Sequence, residues 1–436
     1  MNWKFWKKDS PPMTTKSKLY AQELLYLMNS QSTAASAHGA MNLYRTSSAV
    51  SIPVRMIANT VGMIQPVLKD KKGEVVERHP IIDLLQNPKY GMPAFLFFKT
   101  LAVHQSVVGR SYVWAGGNIN RPPLVIDKIN PVNIHLDTLS NGVITAINVT
   151  SGPYEGKYVA EQQGIRTRYI MNNFSEIGVI EGFTSSTDDR ATLGESPLLA
   201  VGPEIQQLIE GAIHNTNLLK NGGSLSTVFS LKGDIMDDQF EAASSAIREK
   251  YQGPNRAGAI GVIAAEDVDI KQFGNTPKDL DFENLQKLAR KIVALQYGVP
   301  IALVDNEKST FNNLSTSNEM MFDNACEPVL TEILSGLEFF LFPRYKLETS
   351  KNDLSFDRTA LPILRQRFIR ELKERKDAGV ETPNELRSLL NREPIAEGGD
   401  ELYWPVTQAP IGSDVFTGDN PSVMDDESSE PDDDAE

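Results

Sequence analysis

Apolar residues recur at three- and four-residue steps in two long stretches of the chain, one on each side of a polar loop. In the first stretch, Asp279 to Gly298, the apolar positions are Phe282, Leu285, Leu288, Ala289, Ile292 and Leu295. This spacing predicts a single apolar stripe along a helix about 30 Å long, at ~1.5 Å per residue. Gly298 and Pro300 predict its end, because glycine often closes helices and proline cannot continue them.

The polar loop and a second helix follow. Residues 305–315 are rich in Asn and Ser, which favour turns. Thr316 and Glu319 have the spacing of a capping box, which predicts that the second helix begins at Thr316. Apolar residues then recur at four-residue steps, at Met321, Ala325, Val329, Ile333, Leu337 and Leu341.

Pro328 lies inside this second helical pattern. Proline removes one helical hydrogen bond and clashes with the carbonyl four residues earlier, so we expect a kink between Asn324 and Pro328. On pattern alone, the two stretches fit an ordinary helical hairpin in a protein core.

The remaining patterns predict a mixed α+β protein. Residues 48–62, 93–108, 361–376 and 382–391 have helical patterns, and residues 65–69 and 111–115 resemble strands. Short alternating segments at 125–158 and 169–183 predict a small, mostly antiparallel sheet. Between residues 224 and 276 we expect strands at 227–231 and 261–264 around a helix at 237–251. Ser196 and Pro197 are suited to opening a helix that runs to residue 220.

Composition narrows the class of protein. The chain has 436 residues, 40% of them hydrophobic, and a single cysteine, Cys326, which excludes a disulfide framework within one chain. Its histidines are scattered, with no metal-binding or catalytic spacing, so we predict no metal, no cofactor and no enzymatic activity. There is no apolar run long enough for a membrane span and no signal-peptide core, so we expect synthesis in a reducing cytosol.

The charge is unevenly distributed. The formal net charge is −14, but residues 393–436 hold fourteen acids and no Lys or Arg, which leaves 43 acids and 43 bases in the rest of the chain. A neutral body argues against a protein that coats DNA with a basic face, and suits a channel through which DNA slides. The helix at 361–376 is rich in Arg and Lys, and because Glu371 and Glu374 interleave with them we expect a solvated face.

Six sequence motifs occur in a fixed order along the chain. They are the His79-Pro80 to Val113 region, Gly194-Glu195-Ser196-Pro197-Leu198, Tyr297-Gly298-Val299-Pro300, Ser309-Thr310-Phe311-Asn312-Asn313, Phe322 to Pro328 and Thr382-Pro383-Asn384-Glu385. In this order they resemble the phage portal proteins, in the branch found in long-tailed (siphophage-type) phages. The resemblance covers most of residues 47–402.

The resemblance implies a division of the chain into portal regions. These are a flexible N-terminal arm (1–46), an α/β wing (47–192), a first stem helix (193–223), a small α/β clip (224–276), a second stem helix (277–300), a tunnel loop (301–316), a kinked long helix returning to the wing (317–357), a helical crown (358–412) and a disordered acidic tail (413–436).

It also implies a function and partners. Portal proteins form a ring, commonly a dodecamer, at one capsid vertex of the virion, through which double-stranded DNA is packaged and ejected without sequence specificity. The implied partners are other copies of the chain, the terminase large subunit, the head–tail adaptor and the major capsid protein or scaffold.

We expect two groups of residues to meet the DNA. The tunnel loop would contribute Lys308, Ser309, Thr310, Asn312 and Asn313, and the second stem helix Lys287, Arg290 and Lys291. Our hypothesis is that these side chains offer hydrogen-bond donors to passing phosphates, which carry no sequence information.

Two other classes of function stay open at this point. Gly194-Glu195-Ser196 resembles the start of the Gly-x-Ser-x-Gly elbow of serine hydrolases, but Leu198 replaces the second glycine and Pro197 lacks the N–H expected in an oxyanion hole. A fluorophosphonate label that fails to attach would dismiss this reading. The third possibility is an oligomeric scaffold with no role in DNA passage.

Overall fold

The fold is a mixture of helices and antiparallel strands, seen in a computed structural model. The structure describes residues 36–139, 143–163, 166–182, 194–220, 227–231, 268–272, 282–305, 311–390 and 392–402. The chain divides into two compact units, Met1–Asp357 and Arg358–Glu436. The predicted helix at 237–251, the predicted strand at 261–264 and the acidic tail lie outside the described residues.

The first half of the first unit combines helices with most of the strands. In chain order these are α1 (Ala37–Thr46), α2 (Ser48–Gly62), β1 (Pro66–Asp70), α3 (Pro80–Gln86), α4 (Ala94–Val108), β2 (Arg110–Gly116), β3 (Val125–Ile129), β4 (Ile134–Thr138), β5 (Ile144–Val149), β6 (Gly156–Gln163), β7 (Arg166–Asn172) and β8 (Ser175–Glu181). The predicted helices at 48–62 and 93–108 are confirmed.

The second half is mostly helical. Its elements are α5 (Gly202–Lys220), β9 (Thr227–Leu231), β10 (Val268–Gln272), α6 (Phe282–Gln296), α7 (Ile301–Val304), α8 (Phe311–Met321), a π-helical turn (Phe322–Cys326), α9 (Glu327–Tyr345) and β11 (Asn352–Phe356). The strand predicted at 227–231 is confirmed, and it pairs antiparallel with β10. β11 pairs antiparallel with β1, so the end of this unit returns to its beginning.

The ordered chain begins earlier than the sequence predicts. Our expectation of a mobile segment up to residue 46 is wrong for α1, whose first turn is capped by the Ser36 side chain accepting from the Gly39 N–H. Ala40, Met41 and Leu43 of this helix are buried. Through these buried residues α1 packs against α2 and α4.

A seven-stranded antiparallel sheet forms the centre of the first unit, as the alternating segments predict. Its strand order is β3-β2-β8-β7-β6-β5-β4. One cluster of the core consists of Tyr112, Ile129, Ile144, Ile147, Val149, Tyr158 and Ile177. Helix α4 ends at Gly109, whose φ of +80° makes the left-handed turn into β2. Helix α9 packs on β8.

The long helical segment after the loop begins earlier than the sequence predicts. α8 begins at Phe311, so the helix starts five residues before Thr316, which is not its cap. Before Pro328 the helix contains a π-helical turn at Phe322–Cys326, and the kink expected between Asn324 and Pro328 stays a prediction. The Glu327 N–H donates to the Phe322 carbonyl, five residues back.

The second unit contains α10 (Pro362–Asp377) and α11 (Pro383–Leu389). The predicted capping box is confirmed, because the Thr382 side chain accepts from the Glu385 N–H and the Glu385 side chain accepts from the Thr382 N–H. Within the described ranges, no helix is long and apolar enough to cross a membrane. The same ranges contain no cluster of three or more side chains suited to holding a metal ion.

Candidate functional site

The two helices that flank β9 and β10 lie against each other. α5 contacts α6, and the backbone of Gly211 in α5 approaches the amide of Gln286 in α6. The residues of α6 buried by the rest of the chain are Ala289, Val293 and Ala294. These small side chains allow close helix packing, so α6 is fixed along one side.

The larger apolar side chains of α6 point elsewhere. Leu285, Leu288 and Leu295 are exposed, Leu288 and Leu295 each to 55%. The prediction that the whole apolar stripe of this helix packs in the core is therefore wrong within one chain. At 100° per residue these leucines lie within about 80° of one another, and the half-buried Ile292 lies among them. We call Leu285, Leu288, Ile292 and Leu295 the leucine stripe.

The cationic residues predicted on α6 have three different environments. Arg290 is exposed and Lys287 is half-buried. The Lys291 ammonium lies 3.5 Å from the Asp305 carboxylate. Around the helix axis, these three residues are at most about 100° apart. Arg290 and Lys287 lie outside the leucine stripe. Arg290 and Lys287 thus point away from the exposed leucines, whereas Lys291 lies beside Leu288 and Leu295.

The predicted tunnel loop is only partly described. Lys308, Ser309 and Thr310 lie outside the described residues. Asn312 and Asn313 fall in the first turn of α8, where the sequence predicts a loop. The stretch 301–304 is also helical, as α7, and it contacts α6 and α8. Two described parts of the predicted loop, 301–304 and the residues from Phe311 onward, are therefore helical.

The turn at the end of α6 meets the π-helical turn. Gly298 has a φ of +69°, and a Cβ atom placed on it would stand 2.7 Å from the Asn324 carbonyl oxygen. This is the carbonyl that Pro328 leaves without its usual helical donor. Tyr297 and Val299, on either side, are buried. The Tyr-Gly-Val-Pro motif therefore anchors α6 against the irregular part of the long helix.

Ser196 has a structural environment. Its hydroxyl donates to the Val107 carbonyl over 2.6 Å and accepts from the Leu198 N–H at 3.3 Å, and the residue is buried. It caps the 3₁₀ turn Pro197–Leu199, while α5 itself begins at Gly202, so its predicted role as the cap of the long helix is wrong. The hydrogen bond from the Ser196 hydroxyl to the Val107 carbonyl ties the start of the α5 region to the end of α4.

Sequence reasoning missed a buried charge cluster between the sheet and α9. Glu176 of β8 accepts two 2.7 Å hydrogen bonds from Arg168 of β7, which raise the pKa of the Arg168 guanidinium. Arg344 of α9 lies 3.5 Å from the same carboxylate and is almost completely buried. Its guanidinium also donates to the carbonyls of Gly117, Asn118 and Arg121. No local pattern links three residues so far apart in sequence.

These residues form one wall of a groove of about 970 Å³ between the sheet and α9. Phe339 and Phe340 contribute apolar surface, and the Arg166 guanidinium lies 4.8 Å from the centre of the Phe339 ring. Because Glu176 is shared by two arginines and Arg344 is held by main-chain carbonyls, we interpret this cluster as structural, fastening α9 to the sheet.

Comparison with known proteins places this architecture in a family. The family model described as phage portal protein matches residues 48–391. An uncharacterised protein of Rickettsia bellii is 24% identical over 401 residues, which cover 90% of this chain and 98% of that protein. The resemblance indicated by the motifs is thereby confirmed.

Two solved structures have the same fold. One is the neck of a native gene transfer agent particle, computed with C12 symmetry, at a TM-score of 0.55 and 20% identity over 82% of this chain and 94% of that chain. The other is an HK97-family phage portal protein from Corynebacterium diphtheriae, at a TM-score of 0.50 and 13% identity over 74% and 95% of the two chains. The predicted α+β class is confirmed, and the chain, matched over most of its length, belongs to the phage portal protein family.

Proposed function

We propose that this protein forms a ring of about twelve copies at one vertex of a virus-like capsid and conducts double-stranded DNA through its centre. The observation that carries the proposal is the family match over residues 48–391, which spans the helix pair, the loop and the long interrupted helix. The twelve-fold symmetry of the structurally similar neck supports the number of subunits. The protein would be made in the host cytoplasm and reside in the virion.

The leucine stripe supports assembly into a ring. Three exposed leucines on one face of a helix cost free energy in water, at roughly 25 cal/mol for each Å² of apolar surface. A closed ring of identical chains offers every subunit the same two neighbours, so one apolar face can be buried in all copies. A second copy of this chain is therefore the partner we assign to the stripe.

The cations of α6 support contact with DNA. Arg290 is exposed and points away from the leucine stripe, so ring formation through the stripe would leave it available. Lys287 and Lys291 lie beside it, and Lys308 to Asn313 follow in the loop and the start of α8. A few separated cations hold phosphates weakly and in a salt-dependent way, which suits passage better than tight binding.

The partners follow from this role. A packaging ring has one end that docks the terminase large subunit and later the head–tail adaptor, and a rim that contacts the major capsid protein or scaffold. We assign the docking end to residues 224–276, which contain the β9–β10 pair. The crown is assigned to residues 358–412.

Native mass spectrometry combined with negative-stain imaging tests the ring. We expect an assembly of about twelve chains with a central hole. Chains that remain monomeric, even when mixed with their capsid protein and scaffold, would contradict the proposal. That result would favour the hydrolase reading of Ser196.

A packaging assay tests the DNA contacts separately. We would replace Arg290, Lys308, Asn312 and Asn313 by alanine, since deleting Asn312 and Asn313 would also rotate the rest of α8 by about 200°. We expect rings to form normally while nuclease-protected DNA per particle falls about tenfold. The matched control is Lys157→Ala, an exposed lysine of the sheet. Unchanged packaging in the quadruple variant would refute the assignment of these residues.

A further inference from the structure

Helix α10 has a basic face, although basic and acidic residues are interleaved in its sequence. The helix carries six basic and three acidic side chains. One face of the helix is formed by residues at steps of four, four and three positions, namely Arg365, Ile369, Lys373 and Lys376. All four are exposed, Ile369 to 56%. An isoleucine surrounded by three cations in water is an unusual surface for an isolated helix.

The acids of α10 lie mainly on another face. Glu371 accepts a 3.0 Å hydrogen bond from Arg367, four residues earlier. Glu371 and Glu374 are about 130–170° around the helix from the centre of the basic face, and only Asp377, the last residue, lies at its edge. The buried Leu364 and Leu372 occupy a third face. The basic face is exposed to solvent, as expected, and the glutamates that interleave with it in sequence lie elsewhere around the helix.

We propose that the acidic tail of the same chain, residues 413–436, binds this basic face. The tail contains ten acids and no Lys or Arg, eight of the acids within residues 425–436. Val423 and Met424 come directly before that acidic run and supply apolar side chains of a size to cover Ile369. Charge and apolar surface are thus complementary in composition between the tail and the face.

The last described residues before the tail lie in the same unit as the basic face. Residues 395–400 are held on α11, because the Asn384 amide donates to the Ile395 carbonyl and to the Asp400 carboxylate. α11 in turn contacts α10. Eleven residues, the number from Leu402 to residue 413, would span roughly 18 Å as a random coil, against a length of about 24 Å for α10. Such a short tether gives an effective concentration on the order of millimolar.

DNA is the rival occupant of a basic helix face. It would bind from solution, whereas the tail is present at its tethered concentration throughout. Both would be weakened by salt, so salt dependence alone does not separate them. The test must therefore identify which carboxylate or phosphate group is next to the lysines.

A zero-length carbodiimide cross-linker, which joins a lysine amine to a carboxylate, identifies the neighbour directly. With the full-length protein in 50 mM NaCl, we expect Lys373 and Lys376 to be linked to residues 425–436 at least fivefold more often than Lys71 and Lys72, an exposed pair in the first unit. The yield should fall at least fivefold in 500 mM NaCl. In a mixture of ¹⁵N-labelled and unlabelled chains, linked peptides should carry the same label.

Two variants make the test specific. Arg365→Glu keeps both lysines but reverses one charge of the face, and should reduce the tail cross-links several-fold with helix content unchanged by circular dichroism. Replacing Asp432, Asp433 and Asp434 by Asn should do the same. Equal yields at the two lysine pairs, or mixed labels, would overturn the proposal. So would a tail that gives no cross-links while a 30-base-pair duplex protects Lys373 and Lys376 from acetylation.

Discussion

Gly298 and the carbonyl of Asn324 are in close contact, 26 positions apart in the chain. The glycine ends the turn after α6 in a left-handed conformation, and the carbonyl belongs to the π-helical turn that precedes Pro328. A proline frees a carbonyl by removing the donor, and here another part of the backbone moves in beside it. The left-handed glycine and the π-helical turn therefore pack against each other.

Gly298→Ala should strongly destabilise the protein. A side chain at φ +69° is strained by about 1–2 kcal/mol, and its Cβ would also stand 2.7 Å from the Asn324 oxygen. We expect a loss of about 2–4 kcal/mol in the free energy of unfolding, measured by denaturant titration. The control is Gly73→Ala, at φ +84° with nothing within 4 Å, which should cost only about 1 kcal/mol. Equal costs at both positions would show that the contact is unimportant.

Charges on the leucine stripe should prevent ring assembly without unfolding the chain. In Leu288→Asp combined with Leu295→Asp, both changed side chains are already exposed in a single chain, so we expect circular dichroism to be unchanged. Burying two carboxylates between subunits is costly, and native mass spectrometry should show monomers in place of rings. Leu288→Met with Leu295→Met keeps the apolar surface and should still assemble. Rings formed by the aspartate variant would exclude the stripe from the subunit interface.

Replacing the buried Arg344 should lower the free energy of unfolding far more than replacing Lys157, which is exposed although its ion pair is shorter. Arg344→Met leaves the buried Glu176 carboxylate without one of its two arginines and removes the Arg344 donor from the Gly117, Asn118 and Arg121 carbonyls, and we expect a loss of about 3–5 kcal/mol in the free energy of unfolding. Lys157→Met breaks a 2.7 Å ion pair with Asp137 in which the lysine is 59% exposed, and should cost less than about 1 kcal/mol. If the two variants unfold alike, burial does not determine the strength of these contacts.

Glu338 should make stability depend on pH near neutrality. The pKa of its carboxyl is raised to about 7, chiefly by burial; the hydrogen bond donated by the Leu354 N–H lowers the pKa and the neighbouring Asp353 raises it. The folded state therefore holds the Glu338 proton more tightly than the unfolded state does. The resulting contribution of Glu338 to the free energy of unfolding is complete below about pH 4.5 and is lost as the pH rises to about 7.

Glu338→Gln removes this dependence. The variant should be more stable than the unchanged protein at pH 8, by about 1–2 kcal/mol after allowance for solvent screening at this half-buried site, and the difference should shrink towards pH 5. Glu348→Gln, at an exposed carboxylate, is the control and should show no such gain at pH 8. A constant difference between pH 5 and 8 would contradict the assignment to Glu338.

Local patterns were sufficient for many elements of this fold. The helix at 48–62, the antiparallel strands and the Thr382 capping box are each specified by residues close in sequence, through periodicity, alternation or a side chain reaching three positions along. The start of α8 was not predictable in this way. Its first turn contains Asn312 and Asn313, which are weak helix formers, and contact with α7 outweighs that preference.

The candidate site shows where periodicity is insufficient. The spacing on α6 correctly predicts a helix with an apolar stripe, but periodicity does not specify whether the partner is the same chain or another copy. Ala289 is buried within the chain, whereas Leu288, its neighbour in sequence, is exposed. Likewise, Glu176 and Arg344 are 168 positions apart, and only the folded topology brings them together.

Cys326 gives the protein a native reporter of local opening. It is the chain's one cysteine, it is buried in the π-helical turn, and burial raises the pKa of its thiol to about 12. A thiol reagent can therefore react only when the turn opens, so the rate of modification measures how often that opening occurs. Such a rate, followed while the protein assembles or DNA passes, would time the movement of the long helix without any added label.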